Sequence, residues 1–367
     1  MFRALVLTFI AGLLTVSGCG QSGRDVQAVV DARERTFGDV KVFATVQAAL
    51  DAAPGDASEP YRILIRAGDY KEKLVIDKPH LHLIGEGQDA TRIHYDDYAG
   101  RDDGRGGNVG TSGSYTIRVV ATDVQFHALT VENSFDFVAN DALDKDDPAM
   151  RSGSQAVALY LDEGSDRILA RDIQLLGHQD TLYVKSERAW FDKVRVAGSV
   201  DFIFGPGNAL FTDSEIVTRA RGREHETHGY LTAPSTDIDS EFGFTFINCE
   251  LTREEGVPDN STALGRPWHP TTTFADGRYA DPDAIGKAVF IDCFMDAHIS
   301  EQGWARMGGT AKDGEGKTWF YPEDSRFFEY GSEGPGAHEH DKRRRLNEEE
   351  VARYTLDNIL GDWQPGE

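Results

Sequence analysis

The sequence predicts an all-β fold, a parallel β-helix in which coils of roughly 20 residues stack into a solenoid. Three observations carry that prediction. Short apolar segments rich in Val, Ile and Phe recur between turns. Six of them align: Phe126–Val131, Ala170–Leu175, Phe191–Val196, Phe211–Ile216, Phe246–Leu251 and Phe290–Met295. In each, the in–out phase slips at the third position, at Ala128, Asp172, Lys193, Asp213, Asn248 and Asp292. Strict period-two alternation cannot slip inside one flat strand, so a corner is expected there. The steps between corners are 44, 21, 20, 35 and 44 residues, one coil each with loops inserted into some. A β-sandwich would demand hairpin turns and unbroken alternation instead.

Residues 1–18 read as an export signal. Arg3 precedes an apolar run from Ala4 to Val16, and Ser17-Gly18 precede Cys19. Small residues directly before a cysteine resemble a bacterial lipobox. That predicts cleavage before Cys19 and lipid attachment to it, with anchorage at the cell envelope, outer membrane included; simple secretion is the alternative. The only membrane contact expected is this lipid. Residues 19–37 are polar and read as a tether, and 38–367 as one β-helix domain. Thr45–Ala53 carries apolar residues at helical spacing before Pro54-Gly55, which predicts a capping helix. The acidic, Gly-rich stretch 96–110 reads as a mobile surface loop on the cleft side.

Charge excludes one class of partner. Asp and Glu number 62 against 38 Lys and Arg, a net charge of −24, so no nucleic-acid footprint is expected. The one basic run, Lys342–Arg345, is followed closely by Glu348–Glu350 and reads as a solvated turn leading into a short helix. A polyanionic substrate would meet overall repulsion and must be held by local geometry. A monomer is expected. Cys249 and Cys293 occupy the same place in two aligned repeats. On neighbouring coils they would stand about 4.8 Å apart, and both a disulfide and a pair of buried thiols fit.

Four stretches spend polar residues inside the apolar repeat: Gln155–Tyr160, Gly177–Tyr183, Gly198–Gly205 and Leu264–Trp268. Asp180 and Asp201 lie 21 residues apart, the same step as the corners at 172 and 193. A solenoid therefore stacks them on one face of adjacent coils. Two such carboxylates repel unless one is protonated or a cation stands beside them. The competing reading makes them corner residues satisfied by backbone N–H groups.

In this order and spacing the four stretches resemble the signature blocks of pectin methylesterases, carbohydrate esterases of right-handed parallel β-helix fold. The resemblance runs from about residue 38 to the end and takes in Gly68–Glu72, Gly229–Thr236, Gly303-Trp304 and Glu323–Tyr330. It implies hydrolysis of the methyl esters of homogalacturonan (pectin) to pectate and methanol, with no metal and no cofactor. Asp201 would attack the ester carbonyl and form an acyl-enzyme. Asp180, protonated at the start, would donate to the leaving methanol and then serve as base for water. Arg266 would pair with Asp201 and keep it ionised. Gln179 and Gln155 would donate to the developing oxyanion. Tyr183, Phe204, Tyr230 and Trp268 would offer flat faces to sugar rings, and Thr111, Arg221, Thr271 and Met307 match cleft-lining positions. His178 departs from the family's commoner Tyr or Phe, and reads either as a tolerated substitution or, beside the oxyanion donor, as a residue that could tune pH dependence. The alternatives are an acyl-thioesterase or other esterase on the same scaffold, a polysaccharide lyase, and a non-catalytic carbohydrate-binding β-helix.

Overall fold

The structure, a computed structural model, describes residues 26–33 and 35–365. The signal segment, Cys19 and the first part of the tether lie outside the described residues. Among these, three parallel sheets of eleven, eight and seven strands run along the molecule. Each complete coil gives one strand to each sheet, and the terminal turns add strands mainly to the longest. Ile168–Arg171, Gln174–Leu176 and Leu182–Val184 form one coil, and Ala189–Asp192, Arg195–Gly198 and Val200–Gly205 form the next. The chain is a parallel β-helix.

The register follows the repeat. Phe126, Ala170, Phe191, Phe211, Phe246 and Phe290 stand in one column, each paired with the next. From Phe191 to Phe290 the rings stack at 4.7, 4.6 and 4.4 Å, each pair within 10° of parallel. The phase slip has a backbone cause. Ala128, Asp172, Lys193, Asp213, Asn248 and Asp292 all take left-handed conformations, with φ between 48° and 55°. A single residue there turns the chain sharply, so the residues beyond it face inward again.

The capping helix forms over Val46–Ala52, with the Thr45 hydroxyl accepting from the Ala48 N–H at 3.2 Å. The coil begins inside the segment read as tether. Ala28–Val30 is a fully buried strand between Lys41–Phe43 and Tyr61–Ile65, because three apolar residues in a row suit a strand covered on both faces. The basic run also differs from its reading. Arg343 is buried, its Nε and Nη2 donating to Glu329 at 2.8 and 2.5 Å and its Nη1 to the Gly336 carbonyl at 2.8 Å. The short helix Glu348–Val351 does follow, closed by a capping box between Asn347 and Glu350. Cys249 and Cys293 are buried free thiols. Their Sγ atoms lie 3.6 and 3.7 Å from the carbonyls of Phe211 and Phe246, one coil back.

Candidate active site

The seven-stranded sheet builds the site. Its register pairs Leu182 with Ile203, which sets Asp180 two residues before one strand beside Asp201 of the next coil. The Asp180 N–H donates to the Val200 carbonyl at 3.1 Å and locks that pairing. Both aspartates adopt left-handed backbone, φ 65° and 49°. This is a strained conformation that re-aims a side chain at the end of a strand. Gly198 is needed beneath them: a Cβ there would stand 2.2 Å from the Phe202 Cβ and 2.8 Å from the His178 carbonyl.

Asp180 and Asp201 are 7% and 6% exposed. Arg266, just past the strand Thr262–Gly265, donates from Nε to Asp201 Oδ1 at 2.8 Å and from Nη2 to Oδ2 at 2.6 Å. This is a two-point pair that a planar guanidinium makes with an ionised carboxylate. Burial works against the Arg266 charge, but the charge and hydrogen bond of Asp201 outweigh it and the guanidinium is held more firmly protonated than usual. The Arg266 guanidinium also lies 3.8 Å over the Tyr230 ring. Burial, and then the Asp201 charge, push the Asp180 carboxyl well above the usual carboxylate range; Arg266 offsets this only in part. One aspartate is thus paired with a cation, and burial beside that pair raises the carboxyl of its neighbour.

Both aspartates and Arg266 open into a cavity of ≈ 510 Å³, whose walls also include Gln155, Gln179, Thr111, Tyr183, Phe204, Trp268 and Met307. Ser154 Oγ donates to Gln179 Oε1 at 3.2 Å, which leaves the amide NH₂ as the end able to donate. Tyr183 stacks on Phe204 at 4.2 Å, and Trp268 leans on both at 6.1 and 5.6 Å. An aromatic wall therefore stands beside the carboxylates.

Three residues expected along the cleft do not line this cavity. Tyr230 lies under Arg266. Thr271 sits on the antiparallel ribbon Thr271–Phe274, its hydroxyl 2.7 Å from that of Thr310. Arg221 is drawn away to the Asp141 carboxylate at 2.8 Å. Conversely, Val109, Gly110, Ser112 and Ala233 line the cavity without having been singled out. Val109 and Gly110 arrive because 96–110, read as a mobile loop, folds back on itself, and Ser112 follows in the turn Thr111–Gly113: Val109 N–H donates to the Arg101 carbonyl and Gly110 N–H to that of Ala99, each at 2.8 Å. The cleft side was expected for this stretch, but glycines and acids alone did not indicate its hydrogen-bonded return. His178 is buried with its ring stacked on Phe137 at 5.0 Å and 9°. Burial and then the charges of Arg219 and Arg221 pull its pKa down to about 3, so it is a neutral aromatic face. Among the described residues no three or more His, Cys, Asp or Glu side chains converge as a metal site would require.

Comparison with known proteins gives a consistent picture. A family model described as pectinesterase matches residues 35–362. Pectinesterase A of Dickeya dadantii is 46% identical over 348 residues, 94% of this chain and 93% of that protein. A pectin methylesterase crystallised with a hexasaccharide superposes with a TM-score of 0.88 at 45% identity, covering 93% of this chain and 99% of the other. Pectin methylesterase from Yersinia enterocolitica gives 0.84 at 48% identity, over 88% and 99%.

Proposed function

The chain belongs to the pectinesterase family, and from that membership we propose how its cavity opens a methyl ester. It is a carboxylic ester hydrolase that converts methyl-esterified pectin to pectate and methanol. The Asp201 carboxylate attacks the ester carbonyl carbon. The negative charge moves to the carbonyl oxygen, where the amide N–H groups of Gln155 and Gln179 receive it. Collapse of this intermediate breaks the bond to the methoxy oxygen as Asp180 transfers its proton there, so methanol leaves and an anhydride with Asp201 remains. Asp180, now a carboxylate, takes a proton from water, whose oxygen attacks the galacturonyl carbonyl. The bond to Asp201 breaks, Asp201 returns as carboxylate, Asp180 is again the acid, and the new galacturonic acid sheds its proton to solvent.

The observation that carries this reading is the pairing of opposites on adjacent coils: Asp201 gripped at 2.8 and 2.6 Å by Arg266, beside an Asp180 held neutral by burial. The scheme needs one nucleophilic and one acidic carboxyl, and two identical side chains differ in this way only through their surroundings. Trp268, with the edges of the Tyr183–Phe204 stack, supplies an apolar surface against which a pyranose ring can lie, in line with the hexasaccharide bound by the related enzyme; both faces of Tyr183 itself are covered, by Tyr160 at 4.6 Å and Phe204 at 4.2 Å. Thr111 and Met307 flank the same space, and Tyr230 acts from beneath Arg266. We assign Arg221 and Thr271 to the outer cleft, where a long polymer passes.

Methanol release from highly methylated homogalacturonan tests the reading. Wild type releases methanol, and Asp201→Ala loses about four orders of magnitude in kcat. Wild-type protein that leaves esterified pectin intact, or releases thiol from acyl-CoA in preference, ends it. We also propose that Cys19 carries a lipid holding a monomeric enzyme at the outer membrane. No helix among the described residues is long and apolar enough to cross a membrane. Cys19→Ser is expected to move the protein from the membrane fraction to the medium.

A further inference from the structure

The chain between strands Thr130–Asn133 and Leu159–Leu161 leaves the solenoid, forms the short helix Phe137–Asp141 and returns directly into Gln155. At the end of that helix the Asp141 carboxylate, 8% exposed, collects donors from a second loop, 219–228. Arg221 Nη2 reaches it at 2.8 Å and Nε at 3.3 Å, Gly222 N–H at 3.2 Å, and His225 Nε2 lies 2.9 Å from the same oxygen as Gly222. The two backbones touch: a Cβ on Gly222 would stand 2.1 Å from the Val138 carbonyl oxygen and 2.5 Å from the Ala142 nitrogen. Only glycine lets Arg221 and His225 close on Asp141 from that side.

What this clamp holds leads to both glutamines. Phe137, buried at the start of the helix, stacks on His178, the residue before Gln179. The His178 carbonyl accepts from Ser199 N–H at 2.8 Å, tying the same strand end to the coil of Asp201. One residue before Asp141, Asn140 exchanges two hydrogen bonds with the Arg151 backbone, at 3.0 and 2.6 Å. That fixes the returning chain three residues before Ser154, whose hydroxyl holds the Gln179 amide at 3.2 Å. Two routes, one through Phe137–His178 and one through Asn140–Arg151–Ser154, therefore run from the clamp to Gln179 and Gln155.

We propose that Asp141, with Arg221 and His225, is a positioning residue of this esterase: it docks the 134–158 insertion so that both glutamine amides point at the oxyanion. It touches no substrate and acts through them. The proposal rests on the catalytic reading above, and two readouts keep their failures apart.

The first is hydrogen exchange in full-length protein, which needs no substrate. Asp141→Asn should speed exchange over residues 151–157 and 177–180 at least tenfold and leave the strand Ala189–Asp192 unchanged. Equal protection in both proteins overturns the clamp whether or not pectin is a substrate. The second is kinetic. Asp141→Asn should lower kcat for methanol release about tenfold with KM within twofold of wild type, since small misplacement of an oriented group is costly. In a Gln155→Ala/Gln179→Ala background the same change should cost less than twofold, because the groups it positions are gone. Asp166, which accepts from Arg188 at 2.9 and 2.6 Å on another face, serves as comparison. Asp166→Asn should lower Tm and leave kcat alone. An Asp141→Asn protein that behaves likewise, or whose loss is the same in both backgrounds, shows a structural strut and overturns the proposal. Should Asp141→Asn not fold, His225→Gln removes one donor, and about threefold in kcat is expected from it in the same comparisons.

Discussion

Asp180 is the residue on whose proton the scheme turns. Its carboxyl is raised by burial first and by the Asp201 charge second, from an ordinary value of 3.8. The folded protein therefore keeps a proton that the unfolded chain gives up from about pH 4 upward. This group's contribution to stability is complete below that pH and is lost as pH climbs toward the folded value. Asp180→Asn cannot ionise, so at pH 7 it is expected to melt above wild type, the two curves converging as pH falls toward 4. A gap in Tm that is constant with pH would contradict a neutral Asp180. The same proton gives methanol release an alkaline limb, as the acid that protonates the leaving methoxy oxygen is lost. His178 behaves oppositely. With a pKa near 3 and a stacked ring it carries no charge at working pH. His178→Phe should keep kcat/KM within about twofold and leave its pH profile unmoved; a shifted profile would restore the tuning role that its place beside Gln179 suggested. The 21-residue step made the stacking of 180 on 201 legible in advance. The clamp at Asp141 was not, since its partners lie 80 and 84 residues away and follow no repeat.

At the scale of the element, the corner decides the fold. A left-handed residue costs about 1–2 kcal/mol wherever a Cβ is present, and six aligned positions accept that cost to turn the chain inward. Lys193, at φ 54°, offers a clean test. Lys193→Gly is expected to be neutral or to stabilise by up to about 1 kcal/mol, the relief of strain being partly offset by glycine's freedom in the unfolded chain. Lys193→Val should cost about 1–2 kcal/mol, because branching at Cβ crowds the left-handed backbone. Urea unfolding of the three proteins reads the difference, and a valine as stable as lysine would mean that the corner carries no strain. These corners were visible in sequence as a slip of phase. The buried Arg343–Glu329 pair was not: a run of basic residues reads as solvated until the sheet behind it is known.

For the whole molecule, the long sheet needs cover. Leu169 and Leu210 point outward from it and are buried only because Ile359, Leu360 and Trp363 lie across them, with Trp190 and Tyr354 alongside. Arg188 Nη1 and Asn208 Nδ2 hold the carbonyls of Leu360 and Ile359, each at 3.0 Å. A chain ended before Leu356 would expose this patch, at about 1.5–3 kcal/mol for each large side chain uncovered. Such a protein is expected to lose several degrees of Tm and to bind an apolar dye, while keeping its rate on pectin below the new melting point because the tail is remote from Asp201. Unchanged melting would show that the tail does not serve as cover.

The repeat, its corners, the capping helix and the juxtaposition of residues 180 and 201 were written in the sequence itself. All follow from local rules of phase and from a coil length that repeats along the chain. Tertiary structure alone supplied the burial that raises the Asp180 carboxyl, turned Arg221 to Asp141, and folded 96–110, expected on the cleft side, back on itself. Those outcomes depend on contacts between segments far apart in the chain, and on the low dielectric that only the assembled coils create around them.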